Sequence, residues 1–227
     1  MRCSGDGRPW VSWGALAIVA YGLKRHYSRA SVEDLAWILE PTARAVGWLR
    51  GETLAQGPAG WMPPDGSYVI APACAGVNFL ILALTVSVLG FSHRLRSPRQ
   101  RLGWWLGSLP GAWALTIAVN TARILAAVEL YRLGLAEQAH RFLGIVVYLG
   151  ALWVLYGALD RLTGARSRPL EAVLVPAAYL GMTLGVPLLT GAFRRPGGLY
   201  VEHAMMIVLV TLVSTAAMAS LRRQEKP

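Results

Sequence analysis

Long apolar runs constrain this chain more than any other feature. They are Tyr68–Phe91, Trp104–Val128, Phe142–Leu159, Leu170–Phe193 and Leu199–Ala219. A helix rising 1.5 Å per residue needs about 20 apolar residues to cross roughly 30 Å of hydrocarbon, and these runs are close to that length. A further run, Trp10–Tyr21, is shorter; it reaches full length when the stems of Lys24 and Arg25 lie along lipid and their charges sit among the headgroups. Barrel strands alternate apolar and polar residues, and these runs do not. The expectation is an all-α polytopic membrane protein with about six transmembrane helices, forming a single domain over residues 1–227. Within it, residues 24–67 read as an outer loop with an interfacial helix, and residues 68–159 carry the chemistry.

The first run follows a basic leader, Arg2 and Arg8, as a signal peptide would. It is succeeded by Lys24-Arg25-His26 rather than by small residues that a signal peptidase could cleave, so it reads as a retained anchor. At 55% hydrophobic and 15% charged residues, the chain is too apolar for an ordinary soluble domain.

A formal charge of +10 raises the question of nucleic acid, and the distribution of that charge answers it. The densest basic run, His93-Arg94-Leu95-Arg96-Ser97-Pro98-Arg99-Gln100-Arg101, lies between two spans. Arg161, Arg166 and Arg168 follow the fourth span, and Arg222, Arg223 and Lys226 close the chain. With six crossings these regions fall on one side, while Glu33, Asp34, Glu40, Glu52, Asp65, Glu129, Glu137 and Glu202 fall on the other. This is the positive-inside pattern, which puts both termini in the cytoplasm and makes the basicity topological rather than a nucleic-acid footprint. Lys24, Arg25 and Arg29 run against it, since the same topology puts them outside.

In the outer segment, Ser31-Val32-Glu33-Asp34 has the form of a helix N-cap with acidic residues in the first turn. Leu35, Ile38, Leu39, Val46 and Leu49 continue as a helical stripe, interrupted at Pro41. With Glu40, Arg44 and Arg50 on it, this is expected to be an interfacial helix or helix pair. Gly57–Tyr68 reads as loop.

Polar groups inside spans are expensive, about 2.5–3.5 kcal/mol for a central arginine, so they mark places where function is bought. Arg123 lies well inside an apolar run, with Asn120 one turn earlier on the same face. Cys74, in Ala71-Pro72-Ala73-Cys74-Ala75-Gly76-Val77-Asn78, falls about two turns into a span that enters from outside. There a helix N-terminus favours a thiolate, and Ala73, Ala75 and Gly76 leave room for a close approach. His140 opens the next span after Arg123, at the same outer face. Each group alone has a plain reading: a packed cysteine, a snorkelling arginine, a capping histidine. Their convergence on one leaflet is the stronger signal. An imidazole can take the thiol proton, the thiolate can attack a carbonyl, and a guanidinium can hold the oxyanion. His203, after Glu202 at the outer start of the last span, is the rival base; His26 and His93 lie on loops. Cys3 is expected in the cytoplasmic tail, away from Cys74, and two cysteines without a histidine at ligand spacing do not make a zinc site.

Cys74-Ala75-Gly76, then Asn120-Thr121-Ala122-Arg123, then His140 resemble the motifs of the exosortase/archaeosortase family of membrane transpeptidases. The wording around Cys74, with Asn78 in it, is most similar to the exosortase K type. The resemblance implies a cysteine nucleophile completed by Arg123 and His140, with Gly76, Asn78 and Asn120 supporting. It implies substrates that are exported proteins ending in a sorting signal: a short motif, a transmembrane helix and a basic cluster. Cleavage through a thioester at the outer leaflet of the cytoplasmic membrane would transfer the product to an acceptor or release it. No cofactor or metal is implied. The alternatives are a small transporter using Asn120 and Arg123, whose site would belong near the midplane, and a non-catalytic membrane assembly protein.

Overall fold

The computed structural model describes residues 9–95, 97–135, 137–164, 173–189 and 199–224. The chain forms two compact units, Met1–Leu135 and Ala136–Pro227. The first holds α1 (Pro9–Tyr27), α2 (Ala36–Arg50), a hairpin of β1 (Ala55–Gly57) and β2 (Gly60–Met62), α3 (Val77–Phe91) and α4 (Pro98–Arg132). The second holds α5 (Glu137–Thr163), α6 (Leu174–Leu180), a π-helical turn (Gly181–Gly185), α7 (Val186–Leu189) and α8 (Leu199–Gln224).

Four segments are long and apolar enough to cross a membrane: Pro72–Arg94, Pro98–Arg132, Arg141–Thr163 and Tyr200–Ser220. The stretch Leu174–Leu188 is a shorter apolar helix. The chain is therefore a helical integral membrane protein. Along α8, Val201, Met205, Leu209, Leu212 and Val213 are all exposed. Such a face is unfavourable in water and neutral in lipid, which is why it needs no protein partner.

In the first unit α3 is the central helix. It packs against α1 on one side and α4 on another, and its side chains from Phe79 to Leu84 are buried without a polar face. Its uniform hydrophobicity follows from that position, since a helix surrounded by neighbours has no side left for polar residues. The Trp104 indole of α4 donates to the Ser87 carbonyl of α3 at 2.9 Å, locking the pair. The start of α4 is held by a capping box, with Ser97 Oγ accepting from the Gln100 amide and Gln100 Oε1 accepting from the Ser97 amide, and by Pro98 in the first turn.

At 35 residues α4 is about 52 Å long, well beyond the ~30 Å hydrocarbon core. The surplus gives α2 something to pack on, and α2 lies against α4. Ser31 and Asp34 exchange hydrogen bonds as the sequence leads one to expect, Ser31 N to Asp34 Oδ2 at 2.9 Å and Asp34 N to Ser31 Oγ at 3.2 Å. Pro41 does not interrupt the helix, contrary to the expectation. A proline cannot donate to the carbonyl four residues back, here that of Trp37. That carbonyl accepts instead from the Trp113 indole of α4, at 3.3 Å, so the helix runs through unbroken.

Gly57–Tyr68 is also more ordered than a loop. Ala55–Gly57 pairs antiparallel with Gly60–Met62, and Trp61 and Ile70 exchange backbone hydrogen bonds in both directions. Gly60 permits this: it has φ +141°, and a Cβ there would lie 2.3 Å from the Ile70 carbonyl oxygen. Arg50 at the end of α2 pairs with Glu52 at 2.9 Å and with Glu129 of α4 at 2.8 Å, and the Tyr68 hydroxyl donates to Glu52 at 2.8 Å. Glu52 and Glu129, which the charge argument assigns to one side of the membrane, thus meet around one arginine.

Candidate functional site

Cys74 is not two turns into a helix. It closes a 3₁₀ turn, Pro72–Cys74, and α3 begins only at Val77. The reason is local. Ile70 is tied to Trp61 in an extended conformation, and Pro72 restricts the residue before it to extended backbone. Gly76 then adopts φ +73°, a left-handed turn that separates the short 3₁₀ turn from α3. The thiol is half-buried and unpaired with any other sulfur, just ahead of the α3 N-terminus.

Asn120 joins this turn to α4. Its side chain is fully buried, its Nδ2 donates to the Cys74 carbonyl, and its Oδ1 accepts from Arg123 Nε at 3.1 Å. One amide therefore fixes both the backbone of the cysteine and the direction of the guanidinium, using its donor end for one and its acceptor end for the other. Gly76 makes the contact possible: a Cβ there would lie 3.1 Å from Thr116 Cγ2 and 3.2 Å from Asn120 Cγ. The Asn78 side chain, in the first turn of α3, accepts from Lys24 Nζ of α1 at 2.9 Å. The structure thus brings together Cys74, Gly76, Asn78, Asn120 and Arg123, all in the first unit.

Two groups on α1 were not foreseen as site residues. Tyr27 lies within electrostatic range of both Cys74 and Arg123; burial, and then the proximity of Cys74, push its hydroxyl above the usual phenol range. Lys24 sits over the Tyr27 ring, 5.5 Å from its centre. The sequence signal available was the interruption of the positive-inside pattern at Lys24, which asked for a local reason.

His140 lies in the first turn of α5, in the second unit, and its side chain is outside the described residues. His203 is in the same unit, on α8. Its Nδ1 is buried without a hydrogen-bond partner among the described residues, and Arg141 is the charged group acting on it. Cys3 and Arg96 lie outside the described residues. His26 faces the Asp34 carbonyl at 3.3 Å, and His93 the Leu89 carbonyl at 3.3 Å, as loop and helix-end residues.

A thiol at a helix entry, oriented through a buried amide that also holds a guanidinium, defines a class: helical membrane proteins whose polar groups gather around one cysteine. The chain matches the family Transmembrane exosortase (Exosortase_EpsH) over residues 35–157, and it belongs to that family. The matched region runs from the outer helix α2 through α3 and α4 into α5, and includes Cys74, Asn120, Arg123 and His140. No curated protein and no solved structure matches the chain.

Proposed function

We propose that this exosortase is a cysteine transpeptidase that cleaves the C-terminal sorting signal of exported proteins. The observation that carries the reading is Asn120, which links the Cys74 backbone to the Arg123 side chain across 46 residues of sequence. A merely packed cysteine has no need of a buried amide that also aims a cation.

In the proposed reaction the Cys74 thiolate adds to the scissile carbonyl, and Arg123 stabilises the tetrahedral oxyanion. His140 takes the thiol proton and returns it to the departing amine. The C–N bond breaks, leaving a Cys74 thioester and a free sorting helix. An acceptor nucleophile, or water, then attacks the thioester and restores the thiol. The substrates would be exported proteins ending in a short motif, a transmembrane helix and a basic cluster. Both termini would be cytoplasmic and the site would face outside, in the cytoplasmic membrane. The motif set around Cys74 favours the K type within the family.

The test is processing of a co-expressed chain that ends in such a signal. Cys74→Ala is expected to abolish processing while leaving the protein inserted, because the half-buried thiol leaves only a small cavity. Cys74→Ser keeps the shape and is also expected to fail, since a hydroxyl is a far weaker nucleophile. Normal processing by well-expressed Cys74→Ala would falsify the reading.

A further inference from the structure

The end of α1 stands against the Cys74 turn without any role in the proposed reaction. Lys24 reaches 54 residues along the chain to bond Asn78 Oδ1 at 2.9 Å, which pins α1 to the first turn of α3. The same ammonium lies over the Tyr27 ring and holds it in place. Tyr27 in turn is close enough to feel both the sulfur of Cys74 and the guanidinium of Arg123. A group that borders both of these borders the space between them. A carbonyl under attack by Cys74 and stabilised by Arg123 must have its oxygen in that space.

We propose that Tyr27 is a further catalytic residue of the site, a hydrogen-bond donor to the oxyanion formed when Cys74 attacks a carbonyl, with Lys24 as its positioning residue. The inference rests on Cys74 being the nucleophile. Its chemistry is simple. Burial keeps the phenol protonated across the physiological range, so the hydroxyl is always available to donate and cannot serve as the base. An oxyanion accepts more strongly than the carbonyl it came from, so a donor placed there stabilises the transition state over the ground state. Tyr27 takes no proton from Cys74 and gives none up. Both residues precede the family match, which begins at residue 35.

The experiment compares two reactions of one sulfur. With p-nitrophenyl acetate, the Cys74 thiolate adds to the ester carbonyl, an oxyanion forms, and p-nitrophenolate leaves as the acetyl thioester is made. With iodoacetamide, the same thiolate displaces iodide from carbon, and no oxyanion forms. Both rates are measured on the full-length protein in detergent with Cys3→Ser, subtracting a Cys74→Ala background. Tyr27→Phe keeps the ring under Lys24 and removes only the hydroxyl. It is expected to slow acylation roughly tenfold to a hundredfold, as loss of one oxyanion donor does, while alkylation changes less than about twofold. Lys24→Met is expected to show the same selectivity to a smaller degree, because it releases the ring without removing the donor.

If Tyr27→Phe leaves both rates intact, the donor role is overturned. If both fall together, Tyr27 only supports the fold around the thiol, and the proposal is equally overturned. A wild-type Cys74 that alkylates but is never acylated sinks the nucleophile reading and this proposal with it. Selective loss in Tyr27→Phe alongside normal substrate processing by Cys74→Ala would retain the donor geometry and reject the transpeptidase.

Discussion

Gly76 separates two contributions to the Cys74 site that are usually confounded, backbone strain and side-chain crowding. Gly76→Ala puts a Cβ on a residue with φ +73° and drives it against Thr116 Cγ2 at 3.1 Å and Asn120 Cγ at 3.2 Å. Gly51→Ala provides the control. Gly51 has φ +68°, and a Cβ there meets nothing within 4 Å. The left-handed conformation costs a non-glycine residue about 1–2 kcal/mol, and both variants bear that cost. Only Gly76→Ala also pushes Asn120 off the Cys74 carbonyl, which removes a buried hydrogen bond worth about 1 kcal/mol net. In a chain this size 1 kcal/mol corresponds to about 2–4 °C of melting temperature, so Gly76→Ala is expected to melt lower than Gly51→Ala by about that amount. The assay is thermal unfolding of both variants in the same detergent, with acylation of Cys74 measured alongside. Acylation should drop at least about tenfold in Gly76→Ala, because Arg123 loses its anchor, and stay near wild type in Gly51→Ala. Equal melting temperatures and equal acylation rates in the two variants would refute the reasoning, since crowding of Asn120 would then have no consequence.

The carboxyl of Glu52 is held below the usual range, first by its hydrogen bond from Arg50 and then by that from Tyr68. A depressed carboxylate contributes stability above its unfolded value, about 4.3, and that contribution disappears as the pH falls through the lower folded value. Glu52→Gln should therefore flatten the acid limb of a melting-temperature profile below about pH 4.5 and leave the rest in shape; an unchanged acid limb would contradict the linkage. Cysteines introduced at Arg99 and at Leu135, in a background without Cys3 and Cys74, should label from inside and from outside respectively with an impermeant thiol reagent. Labelling of both from one side would overturn the assigned topology. His140→Ala should abolish processing and His203→Ala only weaken it, because His140 follows the Arg123 helix through a short connection. Loss confined to His203→Ala would transfer the role of base to the histidine with the unpartnered Nδ1.

The helical membrane architecture was legible because lipid imposes a length and a composition on each crossing, and Pro72–Arg94, Pro98–Arg132, Arg141–Thr163 and Tyr200–Ser220 meet both. Where the reading erred, a distant partner replaced a local rule. Pro41 is a helix breaker by itself, but the Trp113 indole, 76 residues away, takes the carbonyl that Pro41 leaves without a donor. The hairpin from Ala55 to Met62 carries little alternation in its three-residue strands, and its order comes from pairing with Ile70 outside it. Composition marks Gly57–Tyr68 as loop because its glycines and prolines are turn formers; it does not reveal that Gly60 is there to let the Ile70 carbonyl approach.

The site divides along the same line. Asn120 and Arg123 could be paired from sequence because three residues on a helix is one turn, and that bond is present at 3.1 Å. The bond from Asn120 to Cys74 has no such period, and neither does the one from Lys24 to Asn78. What the sequence does carry is the cost of each group. A buried asparagine amide must be satisfied at both ends, so an Asn120 whose acceptor end is taken by Arg123 implies an unseen acceptor for its donor end. A lysine on the side of the membrane that the charge pattern disfavours likewise implies an unseen reason for being there. Unsatisfied cost is thus the part of a site that survives in a single sequence, even where the partner that meets the cost does not. In this chain both costs, followed to their partners, end at the turn that holds Cys74.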